Sequence, residues 1–191
     1  GSSNDITLSN ASNNFATVVV TSGRNVTLVD AGAIDLGAST VSGTYAVTAT
    51  ADGDITDSGV LAITGTSTLT AADEQSIILD QSSTFGTVAF VASSGNLKNV
   101  TINDSNALDL SALTLAQVSG AGGNLTVTAG GAVTDSGTLV IPGTTTISAS
   151  GQDVTLNDSS NDFGTATITG ANVAVTDTNI IALGASTVSG T

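Results

Sequence analysis

Short runs of alternating apolar and polar residues, separated by Gly, Asn, Asp and Ser, fill the chain. Leu125-Thr-Val-Thr128 and Thr165-Ala-Thr-Ile-Thr169 show the alternation, whose period of two is typical of half-buried strands. Thr, Val and Ile favour strands, whereas Gly, Asn, Asp and Ser favour turns. Residues that favour helices, such as Lys, Glu, Arg and Met, are nearly missing. The pattern therefore predicts an all-β fold without substantial helix.

One motif, apolar-Thr-apolar-x-Asp, recurs along the chain and indicates the period of the fold. Clear copies are Val26-Thr-Leu-Val-Asp30, Val100-Thr-Ile-Asn-Asp104 and Val154-Thr-Leu-Asn-Asp158. With weaker copies, the motif begins at Ile6, Val26, Ile55, Ile77, Val100, Val133, Val154 and Val173. Most steps are roughly 20 residues long, which is the size of one turn of a β-solenoid. We predict a right-handed parallel β-helix of about eight coils. The rival fold, a β-sandwich, does not predict such a period.

Two steps, from Val26 to Ile55 and from Val100 to Val133, are longer than the others. Each contains an additional segment, Ala38–Thr44 in the first and Leu113–Gly123 in the second. Since every third member is extended, the sequence predicts a three-coil super-repeat with one extended coil. The segment Gly37–Thr44 recurs unchanged as Gly184–Thr191. We interpret residues 1–191 as a single β-helical repeat region excised from a longer chain.

Insertions on a solenoid often carry its contacts, so the first additional segment is the candidate ligand-contact region. The candidate residues are Ser39, Thr40, Ser42 and Thr44, together with Tyr45, which directly follows the segment. Tyr45 is the only Tyr of the chain, and an exposed ring could serve as a platform for a sugar. Packing of that ring in the core or at an edge is the alternative.

Composition excludes several classes of function. The chain has a formal net charge of -14 with only two basic residues, so it cannot form the basic surface that nucleic acid or an anionic membrane requires. Without His and Cys, the usual zinc sites and nucleophilic triads cannot be assembled. No apolar run is long enough to span a bilayer as a helix, so no membrane insertion is expected.

Several segments resemble a known class of repeat. Val26–Asp30, Ala33–Gly43, Gly53–Gly59 and Asn161–Thr165 resemble repeats of filamentous-haemagglutinin-like giant bacterial exoproteins, adhesins exported by two-partner secretion that include biofilm-matrix adhesins. The resemblance implies an extracellular β-helical stalk at the bacterial surface or in the biofilm matrix. It also implies an outer-membrane secretion or anchoring partner for the full-length chain, whose ligands would be exopolysaccharide or host-cell glycans.

The expected function is therefore a structural shaft segment of an adhesin, and no enzyme is expected. The alternatives are a carbohydrate-binding module and a polysaccharide lyase or hydrolase. A lyase needs a base and cations, for which Arg24 and Lys98 are the only basic candidates. The carboxylate pairs Asp30 with Asp35 and Asp104 with Asp109 recur in register, which favours turn formation over catalysis.

No cofactor is expected, with weak calcium binding the only option left open. Two Asp clusters could offer oxygen ligands, Asp52 with Asp54 and Asp57, and Asp153 with Asp158 and Asp162. However, no calcium-binding nonapeptide or EF-hand motif is present. Thr-x-Thr pairs such as those at Thr48, Thr126 and Thr165 could form ladders that order water. Because the pairs are interrupted between the predicted coils, a flat Thr array is not expected.

Overall fold

The computed structural model describes residues 3–191, and the fold is entirely β. These residues contain no helix long and apolar enough to cross a membrane. The chain divides into two compact units, unit 1 (Gly1–Leu97) and unit 2 (Lys98–Thr191).

The strands of unit 1 are short except for two that turn a corner of the coil. They are β1 (Ile6–Leu8), β2 (Thr17–Val18), β3 (Val26–Asp30), β4 (Ile34–Leu36), β5 (Ser39–Val41), β6 (Tyr45–Ala49), β7 (Ile55–Asp57), β8 (Leu61–Ala71) and β9 (Ile77–Ala92).

The strands of unit 2 follow the same plan. They are β10 (Asn99–Asp104), β11 (Leu108–Leu110), β12 (Leu113–Thr114), β13 (Gln117–Val118), β14 (Ala121–Gly122), β15 (Asn124–Ala129), β16 (Val133–Asp135), β17 (Leu139–Ser148), β18 (Val154–Leu156), β19 (Asp162–Gly170), β20 (Val173–Val175), β21 (Ala182–Leu183) and β22 (Thr187–Val188).

Unit 1 is a coil with three faces, each a ladder of parallel strands. The first face has rungs at Ile6, Val26, Tyr45, Ser67 and Val88. The second face pairs Thr17 with Asp35 and then aligns Ile34, Ile55 and Ile77. The third face aligns Gly23, Val41, Ile63 and Phe85. Each rung therefore lies one coil beyond the last.

Unit 2 repeats this arrangement. Its first face aligns Val100, Leu125, Thr145, Ala166 and Leu183. Its second face aligns Leu108, Val133, Val154 and Val173. On the third face Leu113 pairs with Leu139, and Ile141 pairs with Phe163. The predicted parallel β-helix is therefore confirmed, with about nine turns in residues 3–191 where about eight were predicted.

The register of the coils differs from the prediction at both long steps. Val26 pairs with Tyr45, not Ile55, and Val100 pairs with Leu125, not Val133. The predicted extended coil in unit 1 is wrong, because Ser39–Val41 is an ordinary strand of the third face. Copies of the motif lie on different faces, so each long step runs from one face to another.

The sequence repeat does not equal a whole number of turns. In unit 1, Ile6 lies on the first face, whereas Ile77, its counterpart one repeat later, lies on the second. In unit 2, Val100 and its counterpart Val173 show the same displacement. One repeat therefore makes three turns and one further strand, and the predicted three-coil unit is corrected accordingly.

A narrow core of Val, Ile, Leu and Ala lies inside the coils. On β3 the inward residues Val26, Leu28 and Asp30 are buried and alternate with half-buried ones. Each buried aliphatic side chain stacks on its counterpart in the next coil, so stability accumulates turn by turn.

Polar side chains also tie each coil to the next. A residue just before a strand, or at its first position, often uses a side-chain oxygen to accept the backbone N–H of the same position one coil later. Asn25 accepts from Thr44 at 3.0 Å, Asn99 from Asn124 at 3.1 Å, and Asn124 from Thr144 at 2.8 Å. Such bonds satisfy backbone donors at corners, where the strand ladder is interrupted.

The corner within β8 requires a glycine because of close packing between coils. The register shifts between Ile63 and Thr66, and a Cβ on Gly65 would overlap the carbonyl of Gly43. Replacing Gly65 with Ala is therefore expected to cost about 1–3 kcal/mol of unfolding free energy, measured by urea denaturation.

Gly32 provides the matched control for that substitution. A Cβ there would meet only the Asp30 carboxylate, at 4.0 Å. The Gly32→Ala variant should unfold like the wild type. Equal stability of the Gly65→Ala variant would contradict the close approach.

Candidate functional site

The predicted contact segment is part of an ordinary coil rather than an insertion. β5 pairs in parallel with Leu61–Ile63, and Tyr45 begins β6 on the first face. Ser39 is 3% exposed and Tyr45 is 0% exposed, so the structure contradicts ligand contacts through these two side chains. Thr40, Ser42 and Thr44 are exposed. Ligand contact through these three side chains stays a prediction.

Tyr45 is a core residue. Its hydroxyl lies near Ser39 without a well-aligned hydrogen bond, and burial raises the pKa of Tyr45 above its usual range. Ser39 itself accepts the N–H of Val20 at 3.0 Å and donates to the carbonyl of Gly37 at 2.8 Å. The ring therefore cannot serve as the sugar platform predicted at this position.

Ser39 belongs to a set of side chains with one shared role that the sequence-based prediction did not include. Ser83 accepts the N–H of Leu61 at 2.9 Å, and Asn161 accepts the N–H of Leu139 at 2.8 Å. Ser186 does the same for Ile168. Ser39 and Ser186 are the third residues of the identical octapeptides Gly37–Thr44 and Gly184–Thr191. This identity was the sequence signal for a shared structural role.

The second additional segment is a real protrusion. After β12, the chain makes an antiparallel hairpin of β13 and β14. Ser119 and Gly120 at its tip both have positive φ, 53° and 78°, as a tight two-residue hairpin turn requires. Gly122 lies against Lys98, and Gln117 contacts the Pro142 carbonyl at 3.5 Å. The hairpin therefore stands beside the start of the first face of unit 2.

The two basic residues lie in different units and have different surroundings. In unit 1, the Arg24 guanidinium bonds both carboxylate oxygens of Asp5, at 2.8 and 2.9 Å. This bond lowers the pKa of Asp5 to about 2 and raises the pKa of Arg24. Lys98 lies in unit 2, beneath the hairpin.

The recurring carboxylates form bonds that hold turns and neighbouring coils. Asp30 is buried and accepts the N–H groups of Phe15 at 2.6 Å and Gly32 at 2.9 Å. Asp35 instead accepts the hydroxyl of Ser58, one coil later. In unit 2, Asp109 likewise accepts the hydroxyls of Thr134 and Ser136. Asp30 is therefore a turn residue as predicted, whereas Asp35 and Asp109 lie within strands β4 and β11 and bond the neighbouring coil.

Asp57 has the most unusual electrostatic environment among the carboxylates of unit 1 that the structure describes. Burial raises its pKa from 3.8 to about 6, and the neighbouring carboxylates of Asp80 and Asp35 add to this effect. One oxygen accepts the N–H groups of Asp80 at 2.8 Å and Gln81 at 3.4 Å, which partly offsets the shift. The other oxygen is buried without a partner.

Asp135 occupies the same position of the repeat in unit 2 but is fully bonded. It accepts the N–H groups of Asn157 at 2.9 Å and Asp158 at 3.2 Å. The side-chain amide of Asn161 adds a third bond at 2.6 Å. The counterpart of Asn161 in unit 1 is Ser83, which accepts the N–H of Leu61 as Asn161 accepts that of Leu139 but has no side-chain amide for the carboxylate.

The candidate calcium clusters do not assemble into a ligand cage. Within residues 3–191, no three acidic side chains are placed to hold a metal ion together. Asp54 accepts the N–H of Ser76 at 2.7 Å, and Asp153 accepts the N–H of Asn172 at 3.2 Å. Weak calcium binding to the acidic surface stays a prediction.

One Thr column of unit 2 is continuous, so the expectation of interruption is wrong for that column, whereas the column beside it is interrupted by Asn103 and Ser148. One column aligns Thr101, Thr126, Thr146 and Thr167 on successive coils. A second aligns Asn103, Thr128, Ser148 and Thr169. On the first face of unit 1 the corresponding column is broken by Ala46 and Ala89.

Parallel strands, three faces per turn and an internal repeat define the chain as a β-helical repeat protein. A family model described as repeats of unknown function (DUF5649) matches residues 1–22, 23–92 and 97–169. The chain belongs to this family. No curated protein and no solved structure matches the chain.

Proposed function

We propose that the chain is a shaft segment of a bacterial surface or biofilm-matrix adhesin. The observation that carries this proposal is the double connection between coils, in which parallel ladders are supplemented by side-chain bonds from residues such as Asn25, Asn99 and Asn124. Several coils are thereby held to the next by both ladders and side-chain bonds, as a mechanical element requires.

The chemistry of the coils supports the same function. Buried side chains such as Asp30 and Ser39 bond the backbone of a neighbouring coil, and the basic residue of unit 1 is paired with Asp5. The resemblance to secreted adhesins gives the proposed setting, an extracellular surface or matrix. An outer-membrane secretion partner and glycan ligands of a full-length chain belong to the same proposal.

A shaft should yield under load one turn at a time. Pulled by its two ends in an optical trap, the chain is expected to lengthen in steps of about one coil. An extended coil of about 20 residues spans roughly 70 Å, and each step releases one set of ladders while neighbouring coils stay folded. The Gly65→Ala variant should lower the force of some steps without changing their length.

Two outcomes would contradict the shaft function. One is smooth extension at low force, as for an unfolded chain. The other is a single event that releases all coils together, because a shaft that fails at once cannot hold a tip at a fixed distance.

A further inference from the structure

The first face of unit 2 presents a regular two-dimensional array of uncharged polar side chains. Four parallel rows each contribute three outward positions. The rows are Asn99, Thr101 and Asn103; Asn124, Thr126 and Thr128; Thr144, Thr146 and Ser148; and Thr165, Thr167 and Thr169. Every position of the array is Thr, Ser or Asn.

The array has fixed dimensions because the strands beneath it keep one register. Rows follow the strand spacing of about 4.8 Å, and outward residues on a strand lie ~6.7 Å apart. The inward neighbours Val127, Thr145, Ile147 and Ile168 are at most 2% exposed, so the face rests on a packed core. The one register irregularity of β17 lies outside the array, between Ile141 and Thr144.

The Thr side chains of the central column are half-buried, and the Thr167 hydroxyl packs against Gly184 of the following coil. In the part of the chain that the structure describes, Thr101, Thr126, Thr146 and Thr167 form no side-chain hydrogen bond to protein. A hydroxyl offers one donor and two acceptor positions, and each Thr adds a methyl group. The face therefore combines repeated hydrogen-bonding groups with small apolar patches.

The hairpin of β13 and β14 borders the array on one side. Gly122 lies against Lys98 and Asn99, at the edge column of the face. A raised wall along one edge makes a flat crystal a poor partner and favours a ligand that lies along the columns. Such a ligand would cross successive coils at regular intervals.

We infer that this face binds an extended, uncharged polysaccharide. A periodic face matches a polymer whose hydroxyls recur at regular intervals, and sugar hydroxyls pair with Thr and Ser hydroxyls as both donors and acceptors. Unit 2 carries seven Asp and one Lys, which disfavours anionic polymers. Each contact is weak, and several rows acting together supply the affinity.

Unit 1 provides an internal control for this site. Thr68 is the counterpart of Thr146, since each is half-buried between inward residues of the first face. Thr68, however, lies between Ala46 and Ala89 instead of in a Thr column. A charge introduced at either position has the same structural setting, but only the charge at Thr146 disrupts the array.

The test is a sedimentation assay of the whole chain with cellulose and chitin, beside alginate and ice as further surfaces. The wild type and the Thr68→Glu variant should be retained on at least one neutral polysaccharide. Thr146→Glu should lower retention about tenfold, as expected for a central contact. Thr146→Val, which removes only the hydroxyl, should cause a smaller loss, and matching thermal midpoints will show that the variants are folded.

Three results would overturn the assignment. These are no retention of the folded chain on any neutral polysaccharide, equal loss in the Thr68→Glu and Thr146→Glu variants, and retention on alginate or ice alone. A shaft does not require this face, so such a failure leaves the stepwise extension expected in the optical trap untouched.

Discussion

Replacing Asp57 with Asn is expected to raise the free energy of unfolding by about 2 kcal/mol at pH 7.5, a value set by the displaced pKa and reduced for solvent screening. At that pH the wild type holds a buried carboxylate that the fold disfavours, because burial raises the pKa to about 6. An Asn side chain keeps an oxygen for the N–H groups of Asp80 and Gln81. It also removes the repulsion with Asp35 and Asp80.

The stabilisation by the Asp57→Asn substitution should disappear in acid. Because the folded pKa lies above the unfolded value of 3.8, the folded wild type retains a proton that the unfolded chain has lost. Wild-type stability relative to the variant therefore falls as the pH rises from about 4 to about 6. Urea denaturation of both proteins at several pH values measures the difference. A difference that is the same at pH 3.5 and pH 7.5 would contradict the buried titration.

Asp135 is the matched control and should respond in the opposite direction. Its two oxygens accept three N–H donors, so the amide of an Asn would place donor against donor. The Asp135→Asn variant is expected to lose about 1–3 kcal/mol at pH 7.5. Stabilisation of both variants would indicate a general effect of net charge rather than the local environment.

Replacing Tyr45 with Ala is expected to cost about 3–5 kcal/mol, the usual range for removing a buried aromatic ring. Tyr45 is fully buried and stacks between Val26 and Ser67 of the neighbouring coils. Its loss leaves a cavity in a core that has few large side chains. The unfolding free energy of the purified chain in urea measures this cost.

Two variants separate packing from ligand contact at this segment. Tyr45→Phe should be as stable as the wild type or slightly more stable, because the lost hydroxyl has no well-aligned hydrogen bond. Thr40→Ala, at an exposed position, should change stability by less than about 0.5 kcal/mol. A stable Tyr45→Ala protein would contradict the core position of the ring.

The fold class followed from the sequence because two physical signals agreed. Alternation of residues such as Leu125, Thr126 and Val127 predicted strands, and the regular spacing of the Asp-ended motif predicted the coils of a solenoid. Asp30 was also correctly predicted as a turn residue, since it accepts the N–H of Gly32.

The register could not be obtained from the same motif. Val26, Val100 and Val173 are alike because they hold the same place in the sequence repeat, but the repeat ends one strand beyond three turns. Similar sequence therefore marked different faces. The strands that pair on successive coils do not all carry the motif. Ser67 and Thr145 are polar residues at core positions, and the strand that begins at Tyr45 lacks the terminal Asp.

The prediction of ligand contacts through Ser39 and Tyr45 was wrong for a related reason. Ser39–Val41 resembled an insertion only because its flanking motifs belong to different faces. The motif also gave no sign of the continuous Thr column of unit 2. Thr126 and Thr146 are paired one coil apart, but their strands do not carry the motif.

The extra strand in each repeat has a consequence for how such a protein changes over generations. Duplication or loss of one repeat by recombination would change the number of coils. It would also move every downstream sequence position to the next of the three faces. A feature such as the hairpin would return to the same side only after three copies. Gain or loss of repeats in threes would preserve the side on which neighbours are met, whereas single changes would redistribute those encounters around the molecule.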